Sequence, residues 1–161
     1  AQAEVQPVGE LHGPGALQFT ENKGQWNNHF YFRADLPEGK LLFEKNAFYF
    51  FLYSQTDVAK IETHPAPAPT QQVIHGHAFK EEFVNANANP VITGGEAFSN
   101  YNNYYLGNDR SRWASGVKNY RKINYGNLYN GIDMVVYSNE NQVRYDFVVA
   151  PHANPAQIKI N

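Results

Sequence analysis

The segment 132–149 alternates apolar and polar residues on both sides of a short polar stretch, a pattern typical of a β-hairpin. The predicted strands are 132–138 and 142–149, joined by 139–141. A loop of two or four residues pairs even-numbered with odd-numbered positions. One face of the hairpin is then entirely apolar or aromatic, and it consists of Ile132, Met134, Val136, Val143, Tyr145 and Phe147. A chain that must bury such a face is expected to fold around a β-sheet.

The composition extends this expectation to the whole chain. Eleven Phe, eleven Tyr and two Trp residues favour strands, and twelve Gly and nine Pro residues supply frequent turns. No long stretch shows the apolar period of 3.6 residues that marks a helix. We therefore predict an all-β fold, predominantly antiparallel, built as a two-sheet β-sandwich. A single strongly bent sheet is the alternative.

The order of patterns along the chain predicts one β-domain over 17–161, preceded by an extended leader over 1–16. Strands 30–33, 40–44 and 47–53 form a meander, and the Pro-rich stretch at about 54–71 is predicted to be a surface loop. A long strand follows at 73–83. A last short strand, 157–160, reaches the end of the sequence without a cap or turn, so we expect a chain truncated before further C-terminal modules.

Charge, hydropathy and cysteine content argue against several classes of protein. The net charge of −2 comes without a basic stripe, which disfavours nucleic-acid binding. The longest apolar run, 47–53, is far too short for a membrane span. The chain has no cysteine, which removes disulfides and thiolate chemistry, and it has no Gly-x-Ser-x-Gly elbow or phosphate-binding glycine loop. We predict no catalytic residue and no cofactor.

Asp133 and Asp146 lie on the polar face of the predicted hairpin, and one plausible register places them directly opposite each other. Two facing carboxylates repel unless a cation, a shared proton or a basic neighbour offsets their charge. Arg144 on the same face can supply that charge. A salt-bridged structural cluster is the leading interpretation, with a calcium site or a hydrolase acid pair as alternatives.

His75 and His77 are two residues apart on a predicted strand, so their rings emerge on one side, as zinc ligands can. Two ligands do not make a site, and a structural or exposed role is the leading interpretation. His12, His29, His64 and His152 are candidate further ligands, but no pattern ties them to this strand.

A cluster of aromatic residues interleaved with Asn and Arg is the candidate ligand-binding surface. Tyrosine and tryptophan rings stack on sugar faces, and neighbouring amides bind hydroxyl groups. The leading interpretation is that these rings are core and strand-pairing residues. The residues concerned are Tyr101, Tyr104, Tyr105, Trp113 and Tyr120.

An ordered set of motifs over about residues 17–160 resembles the uncharacterised N-terminal β-domain of large secreted Bacteroidota proteins. The motifs are 19–26 (FTENKGQW), 32–35 (FRAD), 42–45 (LFEK), 77–79 (HAF), 83–87 (FVNAN), 103–109 (NYYLGND), Trp113, Tyr120 with 123–125 (INY), 128–133 (LYNGID) and 144–151 (RYDFVVAP). One departure is His152, which stands where that family usually has Gly after the proline. A histidine is strained wherever a turn needs positive φ.

The resemblance implies a secreted protein at the outer cell surface. In that family the domain precedes β-propeller-type (SBBP) repeats or PKD-like and immunoglobulin-like modules, often in cargo of type IX secretion or gliding motility. It implies no activity. We therefore expect a non-catalytic structural or interaction module, such as an adhesion domain, whose partners are adjacent C-terminal modules and an extracellular glycan or surface protein. A carbohydrate-binding module is the first alternative, and a glycan or peptide hydrolase is the second.

Overall fold

The computed structural model describes residues 17–63, 73–139 and 141–161. Within these residues, nine strands and one helix follow one another, with single turns of 3-10 helix at Arg110–Arg112 and Pro155–Gln157. The elements are β1 Phe19–Glu21, β2 Phe32–Leu36, β3 Gly39–Phe43, β4 Ala47–Tyr53, α1 Gln55–Thr63, β5 Gly76–Glu82, β6 Val91–Tyr104, β7 Ala114–Tyr129, β8 Ile132–Asn139 and β9 Gln142–Val149. The described helix, α1, is not long and apolar enough to cross a membrane.

All strand pairs are antiparallel, and the order across the sheet is β5-β4-β3-β2-β1-β7-β8-β9, with β6 also paired to β7. The sixteen-residue strand β7 explains this order. Tyr120 pairs with Phe19 of β1 and with Ala97 of β6, while Ile123 pairs with Gly94 of β6 and with a residue of β8. Since β6 keeps one edge of β7, β1 and β8 must share the other edge, one after the other.

This arrangement divides the sheet into two leaves, β1–β5 and β8–β9, that leave the same edge of β7 and curl toward each other. Tyr120 packs against the core, and Ile123, three positions later, is fully buried. Strict alternation would place these two side chains on opposite faces, so β7 must twist between them. The result is one curled antiparallel sheet, a half-barrel with β6 as an extra strand. The all-β prediction is confirmed, but a two-sheet sandwich is not, because β7 belongs to both leaves.

The core between the leaves is mainly aromatic. Phe48 lies at its centre and makes edge-to-face contacts with Phe43 at 4.9 Å and Phe83 at 5.0 Å between ring centroids. Such contacts add to the free energy gained by burying each ring, which is about 1.5–3 kcal/mol. The other large, fully buried side chains are Phe19, Leu41, Ile123, Tyr125, Leu128, Ile132 and Met134, with Gln25 and Val117.

The predicted meander and hairpin are confirmed. β2, β3 and β4 pair in sequence, and in the β8–β9 hairpin Met134 lies opposite Phe147 and Val136 opposite Tyr145. The predicted strand 73–83 is shorter than expected and begins at Gly76. The predicted last strand, 157–160, is reduced to an isolated bridge between Ile160 and Phe83, and its first residue belongs to the 3-10 turn Pro155–Gln157.

The predicted loop over 54–71 is wrong for its first part, where α1 forms. Ser54 caps this helix, since its hydroxyl and carbonyl oxygens accept from the N–H of Asp57 at 3.3 and 3.1 Å. The sequence Ser-Gln-Thr-Asp places Asp57 three residues after the cap, which is a helix-start signal. The prolines of the loop, at 65–69, and the leader predicted for 1–16 lie outside the described residues.

The turn after β9 keeps its geometry despite His152. The N–H of Ala153 donates to the carbonyl of Ala150 at 3.0 Å, and His152 has φ of 68°. This is a proline-led turn whose third position has positive φ, the conformation in which Gly is normally found. The strain expected from the sequence at His152 is therefore present in the backbone.

Candidate functional site

The connection between β6 and β7 is a compact loop that fixes the position of Trp113. Asp109 starts its 3-10 turn, and its carboxylate accepts from the backbone N–H of Ser111 at 3.0 Å and from the Ser111 hydroxyl at 2.7 Å. The indole N–H of Trp113 donates to the carbonyl of Gly107 at 3.2 Å. Gly107 has φ of 68°, which allows the chain to turn back at this point.

Trp113 is held from two sides and remains exposed. The Tyr105 ring meets it edge-to-face at 5.6 Å, and the Arg110 guanidinium lies 5.4 Å from its ring centroid. The exposed fractions are 60% for Tyr105, 54% for Leu106 and 39% for Trp113. We call the surface formed by Tyr105, Leu106, Arg110 and Trp113 the aromatic loop surface. It presents apolar rings beside a cation and can bind a flat or apolar ligand group.

Tyr104 belongs to a neighbouring, half-buried cluster. Its ring contacts Trp26 edge-to-face at 5.4 Å, and the Arg33 guanidinium lies 5.3 Å from the centroid of Trp26. Burial raises the pKa of the Tyr104 hydroxyl. This cluster lies on the face of the sheet that carries the buried Thr20 and Asn119, because Arg33 is the cross-strand partner of Thr20.

The polar pair under this cluster is a buried hydrogen-bonded unit. The Thr20 hydroxyl donates to the Asn119 side-chain oxygen at 2.8 Å, and the same oxygen accepts from the Asn102 amide at 3.3 Å. Buried polar groups are retained when they are paired in this way. Tyr104 and Trp26 lie on the face of the sheet that carries this buried pair.

Tyr101 and Tyr120 lie elsewhere. Tyr101 is 63% exposed and pairs across strands with the exposed Lys118, whereas Asn102 next to it pairs with the buried Val117. Tyr101 therefore projects from the opposite face of β6 to Asn102. The Tyr120 ring packs against Phe32 at 5.8 Å. Of the five predicted residues, only Tyr105 and Trp113 share one exposed surface.

The predicted Asp133–Asp146 pair is not directly opposed. The hairpin pairs Asn139 with Gln142, and this register places Asp133 opposite Val148 and Asp146 opposite Val135. Each carboxylate has its own donor: the N–H of Asn127 for Asp133, at 2.6 Å, and the hydroxyl of Tyr137 for Asp146, at 3.0 Å. The proposed mutual repulsion, which motivated the calcium and acid-pair hypotheses, loses its basis.

His75 and His77 contact different side chains. The ring and backbone nitrogens of His75 contact one carboxylate oxygen of Asp57 at 2.7 and 3.1 Å, and these bonds lower the pKa of Asp57 to about 2. The His77 ring lies beside Phe79 at 5.9 Å. Within 17–63, 73–139 and 141–161, no three His, Asp or Glu side chains are arranged to hold a metal ion.

The 19–26 motif has a structural role. The Asn22 side chain donates to the carbonyls of Asn27 and Phe30 at 2.9 and 2.7 Å and accepts from the N–H of Gly24 at 3.0 Å. These bonds fold the loop after β1 and bring Trp26 onto the sheet. Sequence reasoning missed Trp26, Arg33, Leu106 and Arg110 as neighbours of the aromatic residues. Arg110 is close to Trp113 in sequence, but no local signal links Trp26 to Tyr104.

The model of one protein family matches residues 19–161, which is nearly all of the described chain, and its description is "Domain of unknown function (DUF7948)". The chain belongs to this family. The comparison with curated proteins and the comparison with solved structures gave no match. Membership of DUF7948 agrees with the expectation of an uncharacterised family, and it assigns no activity to the aromatic loop surface.

Proposed function

We propose that this DUF7948 domain is a non-catalytic interaction module and that it binds its partner through the aromatic loop surface. The observation that carries the proposal is the exposure of Tyr105, Leu106 and Trp113 on a loop that hydrogen bonds hold in place. A rigid aromatic anchor loses little conformational entropy on binding, and tryptophan, tyrosine and arginine are the residues that dominate binding energies. The loop offers all three types.

The cellular setting is part of the same proposal. We propose that the domain belongs to a secreted, multi-domain protein at the outer cell surface of a Bacteroidota species, exported by the type IX system, in which further modules follow it. The support is the ordered set of motifs found in the sequence, from 19–26 to 144–151. In this setting the partner of the aromatic loop surface is an extracellular glycan or a surface protein.

Carbohydrate binding is the more specific form of this function. Trp113 and Tyr105 offer rings for sugar faces, and the exposed side chains of Asn108 and Arg110 on the same loop offer hydrogen-bond donors for hydroxyl groups. Arg110 also lies on the ring of Trp113, so its orientation is partly fixed before a ligand arrives. These contacts favour a glycan over a flat polar protein surface.

Glycan-array binding of the labelled domain tests the proposal. We expect Trp113→Ala and Tyr105→Ala each to weaken binding at least about tenfold, as is common for aromatic anchors. Tyr101→Ala is the matched control, because Tyr101 is as exposed as Tyr105 but lies on β6, outside the aromatic loop surface. Equal binding by all variants, with unchanged circular dichroism, would contradict the assignment of the site.

A further inference from the structure

The outer edge of β5, on the side away from β4, is a second feature of the molecule, separate from the aromatic loop surface. β5 pairs with β4 along Gly76–Glu82, and within the described residues its opposite edge pairs with another segment only at its last residue, Glu82, and just beyond it. There, Glu82 and Asn161 exchange two backbone hydrogen bonds, of 2.9 and 3.0 Å, and the N–H of Val84 donates to the carbonyl of Lys159 at 2.8 Å. The segment Lys159–Asn161 therefore begins a strand antiparallel to β5.

The alternation of these hydrogen bonds along β5 shows which backbone N–H and C=O groups point to its outer edge. In an antiparallel pair, alternate residues direct their N–H and C=O groups to the same edge. Glu82 and Val84 face Lys159–Asn161, whereas His75 and Phe83 bond to residues on the β4 side. The N–H and C=O groups of Gly76, Ala78 and Lys80 must then point to the outer edge. Within the described part of the chain these groups have no backbone partner on that edge.

Next to this edge, an aromatic side chain on the core-facing side of β5 is exposed to solvent. Phe79 is on the same face of β5 as the fully buried Phe83, yet it is 43% exposed. Its ring stacks on Phe50, with centroids 4.5 Å apart and planes at 5°. Within the described residues, the exposed part of Phe79 thus lies beside the unpaired backbone groups of β5.

The opposite side of the opening is β9. The Tyr145 hydroxyl of β9 donates to the Glu81 carboxylate at 2.7 Å, and the Tyr145 ring contacts Phe83 at 5.9 Å. At this end of the sheet, a side chain of β9 therefore contacts a side chain of β5.

We infer that the outer edge of β5 accepts one extended strand that prolongs the line of Lys159–Asn161 and runs antiparallel to β5. The occupant is the polypeptide that follows Asn161 wherever this domain is carried in a longer chain. The register of the Phe83–Ile160 bridge sets the first, third and fifth added residues opposite Glu81, Phe79 and His77. An apolar residue at the third position would cover Phe79 and Phe50. The inference is independent of the aromatic loop surface.

A C-terminal extension tests this inference, because tethering gives the added strand a high effective concentration. Six residues are appended to Asn161 in three versions. The first has Val at the third and fifth positions and Thr at the others. The second shifts the two Val residues by one position, so that they face outward. The third is a Gly-Ser sequence of the same length.

We expect the in-phase extension to raise Tm by roughly 5 °C and to slow amide hydrogen exchange at Gly76, Ala78 and Lys80 at least about tenfold. The shifted and Gly-Ser versions should do neither. Ala78→Pro removes the central outward N–H without touching a hydrogen bond to β4, so it should abolish the gain, whereas Ala78→Val should keep it. Unchanged exchange at these amides with the in-phase extension, or equal protection by the shifted one, would overturn the inference.

Discussion

The aromatic core and the aromatic loop surface use the same contact geometry in different surroundings. In the core, Phe48 meets Phe83 at 5.0 Å and 81°, and both rings are fully buried. On the loop, Tyr105 meets Trp113 at 5.6 Å and 80°, and both rings are exposed. Edge-to-face packing is therefore no sign of burial. Strands enclose the core rings, whereas a cation and hydrogen bonds to the backbone hold the loop rings, which leaves their area available to a ligand.

Removing the central core ring should have the largest effect on this contrast. Phe48→Ala should lower the free energy of unfolding by about 3–5 kcal/mol, because Phe48 contacts the rings of Phe43, Phe83, Tyr125 and Tyr145 and leaves a cavity among them. Urea denaturation followed by circular dichroism measures the loss. Phe48→Leu, which retains most of the volume, is the control and should lose less. A loss for Phe48→Ala below about 1 kcal/mol would mean that the core rearranges around the site.

Trp26 is half-buried and so is intermediate between the core rings and the loop rings. Its replacement should have an intermediate effect on the free energy of unfolding. Trp26→Ala should lower the free energy of unfolding by about 2 kcal/mol, because the half-buried ring loses its contacts with Tyr104 and Arg33. Trp26→Phe should restore more than half of this stability. The same urea titration checks both variants, and a loss as small as that of an exposed residue would place Trp26 with the loop surface.

Buried tyrosine hydroxyls should make the core sensitive to alkali. Burial raises the pKa of Tyr125 well above 10, and its hydroxyl donates to the carbonyl of Glu44 at 2.8 Å. In the unfolded chain this tyrosine ionises at about 10. Its contribution to stability is therefore complete below pH 10 and declines as the pH rises above that value.

Tyr125→Phe should lower the free energy of unfolding by about 1–2 kcal/mol at pH 7 through the lost hydrogen bond, and it should flatten the decline above pH 10. Burial, followed by the bond to Glu81, also raises the pKa of Tyr145, so Tyr145→Phe should flatten the decline too. Denaturation midpoints measured between pH 8 and 11 decide this. An alkaline slope that neither variant changes would assign the effect to other groups.

The smallest effect on stability is expected at the loop surface. Trp113→Ala should lower the free energy of unfolding by no more than about 1 kcal/mol, because the exposed ring loses one hydrogen bond to the carbonyl of Gly107. The same variant is the one expected to lose glycan binding. A loss of stability comparable to that of Trp26→Ala would show that Trp113 is structural, and it would remove the contrast between the two aromatic clusters.

The hairpin shows how far the sequence could lead. A loop of two or four residues pairs even-numbered with odd-numbered positions. This rule was enough to assign Met134 and Phe147 to one apolar face. The exact register needs the loop length, and parity does not supply it. For that reason the register that would set Asp133 opposite Asp146, one of those the sequence allowed, differs from the observed register by two residues, although both aspartates lie on the predicted face.

The candidate site was only partly predictable for a similar reason. Trp113 and Tyr105 stood out by residue type, but Tyr101, Tyr104 and Tyr120 looked equivalent to them in the sequence. Strand alternation and the register shifts between β6 and β7 place these three side chains elsewhere. The helix start at Ser54 had a readable signal, but the surrounding Pro-rich composition outweighed it.

The sequence by itself determined the all-β class, the β2–β4 meander and the apolar face of the β8–β9 hairpin, because these depend on local alternation and short turns. Only the tertiary structure decided that one long strand, β7, carries both leaves on a single edge, and therefore which aromatic rings are enclosed and which remain exposed. Such long-range pairing joins residues about a hundred positions apart, as in Phe19 and Tyr120. No local sequence pattern predicts a pairing between residues so far apart in the chain.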